Sequence, residues 1–231
     1  MVVSMFRILL LLIFVLSACS SAPATPEPEP QGPPPTKVAL KLVGDQPHAS
    51  FEAFAKSVGS VDFREEKTML GAKGKGAASE IITTGGLVSR DGATQRVLLA
   101  GKAGALYELA VLDSWSEKPD YLPYAQVQVR ESDLPDAFVI AYDAGRTKEV
   151  EGGTSYDHKG TAMVCREQDA RFACAAFTTS KGSYVEPKDG ASKVKIPEAV
   201  VMGRKDGRIE VVHLVQGEGL TPAGYYVLEG P

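Results

Sequence analysis

Serine, lysine, histidine, cysteine and the carboxylates are among the residues of this 231-residue chain whose types could perform nucleophilic or acid–base chemistry. Ser192 and Lys195 have the Ser-x-x-Lys spacing of some acyl-enzymes, but the residues around them alternate like a strand, which separates the two side chains. Asp157 precedes His158, yet adjacent side chains of an extended chain point to opposite faces. The sequence therefore predicts no catalytic residue, and we expect a function that is not enzymatic.

Two further patterns bear on cofactors and metals. Gly71-Ala-Lys-Gly-Lys-Gly76 is rich in glycine but lacks the Lys-Ser/Thr ending of a phosphate-binding loop. The stretch from Gly71 to Gly86 is more typical of a mobile loop. His48 and His213 stand far apart in the sequence, and the carboxylates do not follow the spacing of a calcium loop. We accordingly expect neither a cofactor nor a metal site.

Cys19 lies at the end of a short N-terminal apolar segment. Residues 8–16 are nine apolar residues in succession after Arg7, whereas a helix that spans a membrane needs about 20. Residues 16–19, Leu-Ser-Ala-Cys, resemble the lipobox of bacterial lipoprotein precursors. The resemblance implies that residues 1–18 are a signal peptide and that the Cys19 thiol receives a diacylglyceryl group. The alternatives are an ordinary signal peptide with an incidental cysteine and an N-terminal apolar anchor.

Residues 19–36 are predicted to tether the lipid to the folded part. Seven of the 15 prolines lie between Pro23 and Pro35, and no large apolar residue occurs there, so an extended polyproline II conformation is favoured. At about 3.1 Å per residue such a tether reaches roughly 55 Å. The lipobox resemblance also implies sorting, because serine at position 20, rather than aspartate, favours the outer membrane. A ligand segment for a Pro-recognising domain is the alternative.

Cys165 and Cys174 form a pair once Cys19 carries a lipid. The cell envelope is oxidising, so two remaining cysteines favour a disulfide. If Asp169 and Ala170 form a tight turn, strands on either side place Cys165 directly opposite Cys174. The sequence therefore predicts a cross-strand disulfide. The spacing is not that of a redox-active Cys-x-x-Cys motif.

Residues 37–231 are predicted to form a β-rich globular domain. Apolar and polar residues alternate at residues 38–42 and 125–130, and apolar runs at 96–100 and 105–112 flank a glycine-containing loop. One helix is expected at 51–58, where apolar residues fall at helical spacing after a capping Ser50. We predict a mainly β fold, an antiparallel sheet or sandwich with one or two short helices, with α+β as the second choice.

The aromatic residues Trp115, Tyr121 and Tyr124 suggest a binding patch. They lie in the segment DSWSEKPDYLPY, which is polar, contains proline and is predicted to connect two strands. Aromatic residues on loops can form recognition surfaces. The alternative is that these side chains cover one end of the hydrophobic core.

The composition restricts the class of function. The formal net charge of −4 argues against a nucleic-acid-binding protein, which normally carries a basic excess. We expect a lipid-anchored envelope protein, attached at the outer membrane, whose periplasmic or surface domain binds an envelope protein or polymer or serves a structural role. A small hydrolase with a site assembled by the fold, and a lipid- or solute-binding module, are the alternatives.

Overall fold

Alternating apolar residues form strands through most of the chain after residue 35. The computed structural model describes residues 33–117, 119–168, 171–189 and 195–230, and within them lie fourteen strands, two α-helices and one 3-10 turn. The strands are β1 (Thr36–Ala39), β2 (Lys41–Leu42), β3 (Phe63–Glu65), β4 (Ala72–Lys73), β5 (Ile82–Arg90), β6 (Ala93–Lys102), β7 (Ala105–Trp115), β8 (Leu122–Glu131), β9 (Ala137–Val150), β10 (Gly153–Gln168), β11 (Arg171–Pro187), β12 (Glu198–Gly203), β13 (Arg208–Val215) and β14 (Gly224–Glu229). The helices are α1 (Phe51–Ser57) and α2 (Lys67–Leu70), and the 3-10 turn is Gly76–Ala78.

The strands belong to two sheets. The large sheet has the order β1-β14-β13-β12-β11-β10-β9-β8, and β2 pairs with β11. The small sheet has the order β3-β5-β6-β7, and β4 pairs with β5. All pairs are antiparallel except β1 with β14, which is parallel. The predicted β-rich fold with few helices is confirmed, and the chain passes from the small sheet to the large one between β7 and β8.

The large sheet buries apolar residues on both of its faces. One face, which we call the packing face, carries Phe138, Cys165 and Phe172 and lies against Tyr107 and Ala100 of the small sheet. On the opposite face, apolar side chains of β9 to β11 pack against those of β12 to β14. Because all these strands belong to one sheet, the sheet curves around its own core. Curvature of this kind lets one sheet present an enclosed core and an open concave surface side by side.

Helix α1 covers the outer face of the small sheet. Phe51 and Phe54 are buried against Val97 and Leu99. Ser50 caps the helix, because its hydroxyl oxygen accepts a hydrogen bond from the Ala53 amide at 3.1 Å. The predicted helix and its cap are therefore both present.

Two local expectations were wrong. The stretch from Gly71 to Gly86 is not one loop, since it contains β4, the 3-10 turn and the first half of β5. Trp115 and Tyr124 do not lie on a connection, because Trp115 ends β7 and Tyr124 is the third residue of β8. In both cases pairing with neighbouring strands overrides the local preference of glycine, proline and polar residues for turns.

The predicted disulfide is confirmed. Cys165 and Cys174 are direct partners in the β10–β11 ladder, and their sulfurs are bonded. Both residues are buried on the packing face beside Phe138. Asp169 and Ala170, the expected turn residues, lie outside the described residues. The bridge therefore ties the end of the longest hairpin inside the contact between the two sheets.

Replacing both cysteines, Cys165→Ala and Cys174→Ala, is expected to lower the free energy of unfolding by about 2–3 kcal/mol, because a short loop is no longer closed in the unfolded chain. Urea denaturation of oxidised wild type and of the double variant measures this difference. Wild type treated with reductant retains both sulfurs, so it separates loss of the bridge from loss of packing. Equal midpoints for oxidised and reduced wild type would contradict the prediction.

Among the described residues, none of the helices has the length and apolar character required to pass through a lipid bilayer.

Candidate binding groove

A groove of about 680 Å³ lies on the concave surface of the large sheet. Strands β9, β10 and β11 form its floor, and β8 and β12 form its two walls. At one end the turn after β8 meets the end of β12, where Ser132 and Leu134 lie against Gly203. The volume is within the range of about 300–1,000 Å³ that is usual for ligand sites.

One row of the sheet crosses the groove from wall to wall. Residues that pair directly across antiparallel strands share a face, and the register places five such residues in line. They are Gln126, Asp143, Gly160, Ser180 and Glu198. Gly160 lies at a β-bulge, and a Cβ atom there would come within 2.4 Å of both the Asp143 carboxylate and the Ser180 hydroxyl. The row therefore needs glycine at its centre, because the Asp143 carboxylate and the Ser180 hydroxyl occupy the space that a side chain on β10 would take.

The Ser180 hydroxyl donates a hydrogen bond to Asp143 Oδ1 at 3.2 Å. This contact fixes one carboxylate oxygen and leaves the second available to a ligand. Within the described ranges, neither the amide of Gln126 nor the ring nitrogens of His158 have a hydrogen-bond partner. These groups keep their full capacity to bind a ligand.

Aromatic rings border the central row. Tyr156 and Tyr184 pair across β10 and β11, and their rings stack with centroids 4.8 Å apart. The His158 ring meets Tyr184 edge to face at 6.4 Å. On β8 the Tyr124 ring lies over Gly145, whose missing side chain makes the space for it. The register places Tyr124, His158 and Tyr184 on the same side of the row of polar groups.

Tyr124 keeps its phenolic proton over the whole physiological range. Burial is the main cause that raises the pKa of Tyr124 to about 12, and the neighbouring Tyr184 and Asp143 add to the shift. A phenol that stays protonated beside a carboxylate is a hydrogen-bond donor directed at the groove.

The charges along the groove are mainly acidic. Among the described lining residues are four carboxylates, those of Glu131, Asp133, Asp143 and Glu198, and one guanidinium, that of Arg130. Arg130 Nε donates to Gln128 Oε1 at 3.1 Å, so part of its donor capacity is already used. Such a surface disfavours anionic ligands, because like charges repel.

The sheet separates Tyr121 from Tyr124. The guanidinium of Arg146 lies over the Tyr121 ring at 4.5 Å, and Arg146 Nη2 donates to Asp113 of the small sheet at 2.6 Å. Arg146 and Gly145 are consecutive strand residues, so the rings that cover them lie on opposite faces. Of the three aromatic residues that suggested a patch, Tyr124 alone lines the groove, while Trp115 pairs with Thr94 at the edge of the small sheet.

The other histidines have structural environments. His48 pairs with Leu106 through the backbone and packs against Phe54, and burial is the main cause that lowers its pKa. The Ser57 hydroxyl lies 3.5 Å from His48 Nδ1 but donates to the carbonyl of Phe54 at 2.7 Å. His213 Nε2 is 2.8 Å from the Thr221 carbonyl. These contacts hold backbone segments in place and do not form a nucleophile–base pair.

Cys19, the signal and tether residues up to 32, and Ser192 of the Ser-x-x-Lys spacing lie outside the described residues. Within the described ranges, no group of three or more His, Cys, Asp or Glu side chains is arranged to hold a metal ion.

Sequence reasoning missed most of the groove, which joins residues from five strands. The available signal is the presence of glycines inside the three floor strands, Gly145, Gly160 and Gly182, since glycine within a strand often marks a place where a ligand or another group comes close. Register alone shows that these glycines lie beside Tyr124 and His158. No protein-family model, no curated protein and no solved structure matches this chain.

Proposed function

We propose that this chain is a lipid-anchored protein of the bacterial cell envelope that binds an envelope component in the groove of its large sheet. The observation that carries the proposal is the row from Gln126 to Glu198, which presents polar side chains, among them the unpaired amide of Gln126, beside the rings of Tyr124 and Tyr184. A protein or a polymer of the envelope is the kind of partner we propose. Binding is favoured over catalysis because the groove hydroxyl of Ser180 donates to a carboxylate and not to a histidine.

The lipid anchor is the second part of the proposal. It is supported by the lipobox resemblance of residues 16–19, with residues 1–18 as signal peptide and 19–36 as tether to the β-rich domain at 37–231. Each buried methylene contributes about 0.8 kcal/mol, so two or three acyl chains attach a protein durably while one does not. Ser20 favours the outer membrane as the site of attachment.

Cys19→Ser is expected to abolish lipid attachment, because the hydroxyl does not replace the thiol as the acceptor of the diacylglyceryl group. Growth with a clickable fatty acid, followed by detection on the purified protein, measures the label. The wild type should be labelled and should fractionate with outer membranes. An unlabelled wild type would refute the anchor.

A photo-crosslinker in place of Gln126 is expected to capture the partner in living cells, since this side chain is exposed and lies at the β8 end of the central row. Lys205, exposed in the turn between β12 and β13, is the control position and should yield no specific adduct. Digestion of the adduct with protease or with glycosidase then reports the kind of partner.

The aromatic borders supply a second test of the same proposal. Tyr124→Ala combined with Tyr184→Ala should reduce the Gln126 adduct by at least tenfold, because two tyrosine rings that line the groove are lost. Tyr225→Ala is the matched control, since Tyr225 is an exposed tyrosine under Arg208 on a strand that does not line the groove. An adduct of unchanged yield in the double variant would contradict binding in the groove, and cleavage of a bound component would contradict a purely binding role.

A further inference from the structure

We infer that the ligand of the groove is a linear, neutral glycan. The inference rests on the proposed function, because it names the chemical class of the component that the groove binds. Three properties of the described site carry it: tyrosine rings along one side of the central row, mixed donors and acceptors in the row, and a shortage of positive charge.

The rings suit the apolar side of a sugar. The face of an aromatic ring carries negative charge density and attracts the weakly positive C–H groups of a pyranose ring. Tyr184 stacks on Tyr156, and the T-shaped contact with His158 holds Tyr184 upright at the edge of the groove. Tyr124 stands on β8, over Gly145, on the same side of the central row as Tyr184. A sugar that binds the row therefore has rings from two strands beside it.

The polar groups suit hydroxyls. A sugar hydroxyl donates one hydrogen bond and accepts others, as serine and threonine hydroxyls do. Gln126 offers an amide that both donates and accepts, Asp143 offers a free carboxylate oxygen, and Tyr124 donates. Of these three groups, Asp143 alone carries a charge. A set of donors and acceptors that is mostly neutral fits hydroxyls and acetamido groups better than it fits an ion.

The charges of the described lining disfavour a polyanion. Among the described lining residues four carboxylates face one guanidinium, so a phosphorylated, sulfated or carboxylated polymer would be repelled. Arg130 lies four residues beyond Gln126 on β8 and already donates to Gln128. A neutral chain meets no such repulsion.

The length of the groove indicates an oligomer. Its central row crosses five strands, and four interstrand spacings of about 4.8 Å give roughly 19 Å from wall to wall. Gly182 extends the open surface beyond His158, since a Cβ atom built there meets only side-chain atoms of Ile196, Pro197 and His158 at 3.8–4.0 Å. The site therefore accommodates several sugar rings in a row.

Titration calorimetry tests the inference with the full lipid-bearing protein in a detergent that has no sugar headgroup. The probes are hexamers of β-linked N-acetylglucosamine, β-linked glucose and α-linked glucose, together with the deacetylated cationic and the sulfated anionic forms of the first. At least one neutral hexamer should bind saturably, and its sulfated form should bind at least tenfold more weakly.

Variants locate the binding. Tyr124→Ala with Tyr184→Ala should weaken the neutral hexamer by at least tenfold. Gly182→Leu fills open space without a backbone clash and should also weaken binding of the neutral hexamer by at least tenfold. This variant leaves the half-buried tyrosine rings in place, so it tests the groove independently of them. Tyr225→Ala should leave the affinity unchanged. The inference is overturned if no neutral hexamer binds, if the cationic or the anionic form binds more tightly than the neutral one, or if both groove variants bind as the wild type does.

These outcomes are separable from the proposed function. A Gln126 adduct that is lost in the double tyrosine variant but is sensitive only to protease, together with no binding of any hexamer, would refute the glycan while leaving the binding groove intact. Absence of any Gln126 adduct together with absence of hexamer binding would refute both.

Discussion

Arg96→Met is expected to lower the free energy of unfolding by about 3–5 kcal/mol, because it leaves a buried carboxylate without its main partner. Arg96 is 3% exposed, and its Nε and Nη2 donate to Glu66 at 2.8 and 3.3 Å. After the substitution the carboxylate retains a hydrogen bond from Arg64 Nη2 at 2.9 Å, but the Arg64 side chain is largely exposed. Urea denaturation followed by circular dichroism measures the change.

The double variant Arg96→Met with Glu66→Leu separates the pair from its surroundings. Replacing both charges with apolar groups removes the unpaired carboxylate, so we expect it to recover much of the stability that the single variant loses. Lys56→Met is the control, since its pair with Glu52 is exposed on α1 and should change the midpoint little. A single variant as stable as wild type, or a double variant less stable than Arg96→Met, would contradict this account.

Phe177→Ala is expected to cost about 3–5 kcal/mol, because it leaves a cavity in a closely packed core. Phe177 on β11 is 1% exposed and contacts Tyr226 on β14 edge to face, with centroids 5.4 Å apart. This contact joins the strands that form the floor of the groove to the strands that curve over them. We therefore expect the variant to lose affinity in the groove as well as stability.

Two comparisons check the second prediction. Phe177→Leu retains most of the buried volume and should cost clearly less than the alanine variant. Val185→Ala on the same strand removes an exposed side chain and should have little effect. Equal stabilities for the alanine and leucine variants would show that the contact with Tyr226 does not hold the curved sheet together.

The local sequence pattern predicted helices and strands correctly where the pairing of strands in the fold agrees with it. The helix at 51–58 follows from helical spacing and the Ser50 cap, and both are local properties. The disulfide follows from the register of one hairpin, whose two strands are consecutive in the sequence. The stretch from Gly71 to Gly86 was misjudged because glycine favours turns in isolation, whereas β5 is held by β6 on one side and by β3 and β4 on the other.

The candidate site could be predicted far less well. Tyr124, Asp143, Ser180 and Glu198 are separated by up to 74 residues along the chain, and nothing local in the sequence relates them. The register of β8 through β12 and the curvature of the sheet bring them together. The structure places Trp115 on the small sheet and Tyr121 on the other side of the large sheet from Tyr124, so the predicted patch shares only Tyr124 with the groove.

The sequence by itself determined the properties that short segments carry: a β-rich chain, one capped helix, a cross-strand disulfide, and an N-terminal segment that resembles a lipoprotein signal. Only the tertiary structure decided which polar residues share a surface. The physical reason is that a β-sheet assembles a surface from residues one strand apart in space, and strand order and register depend on packing across the whole core. The groove of the large sheet, with glycines where rings and carboxylates lean across it, is a product of that packing.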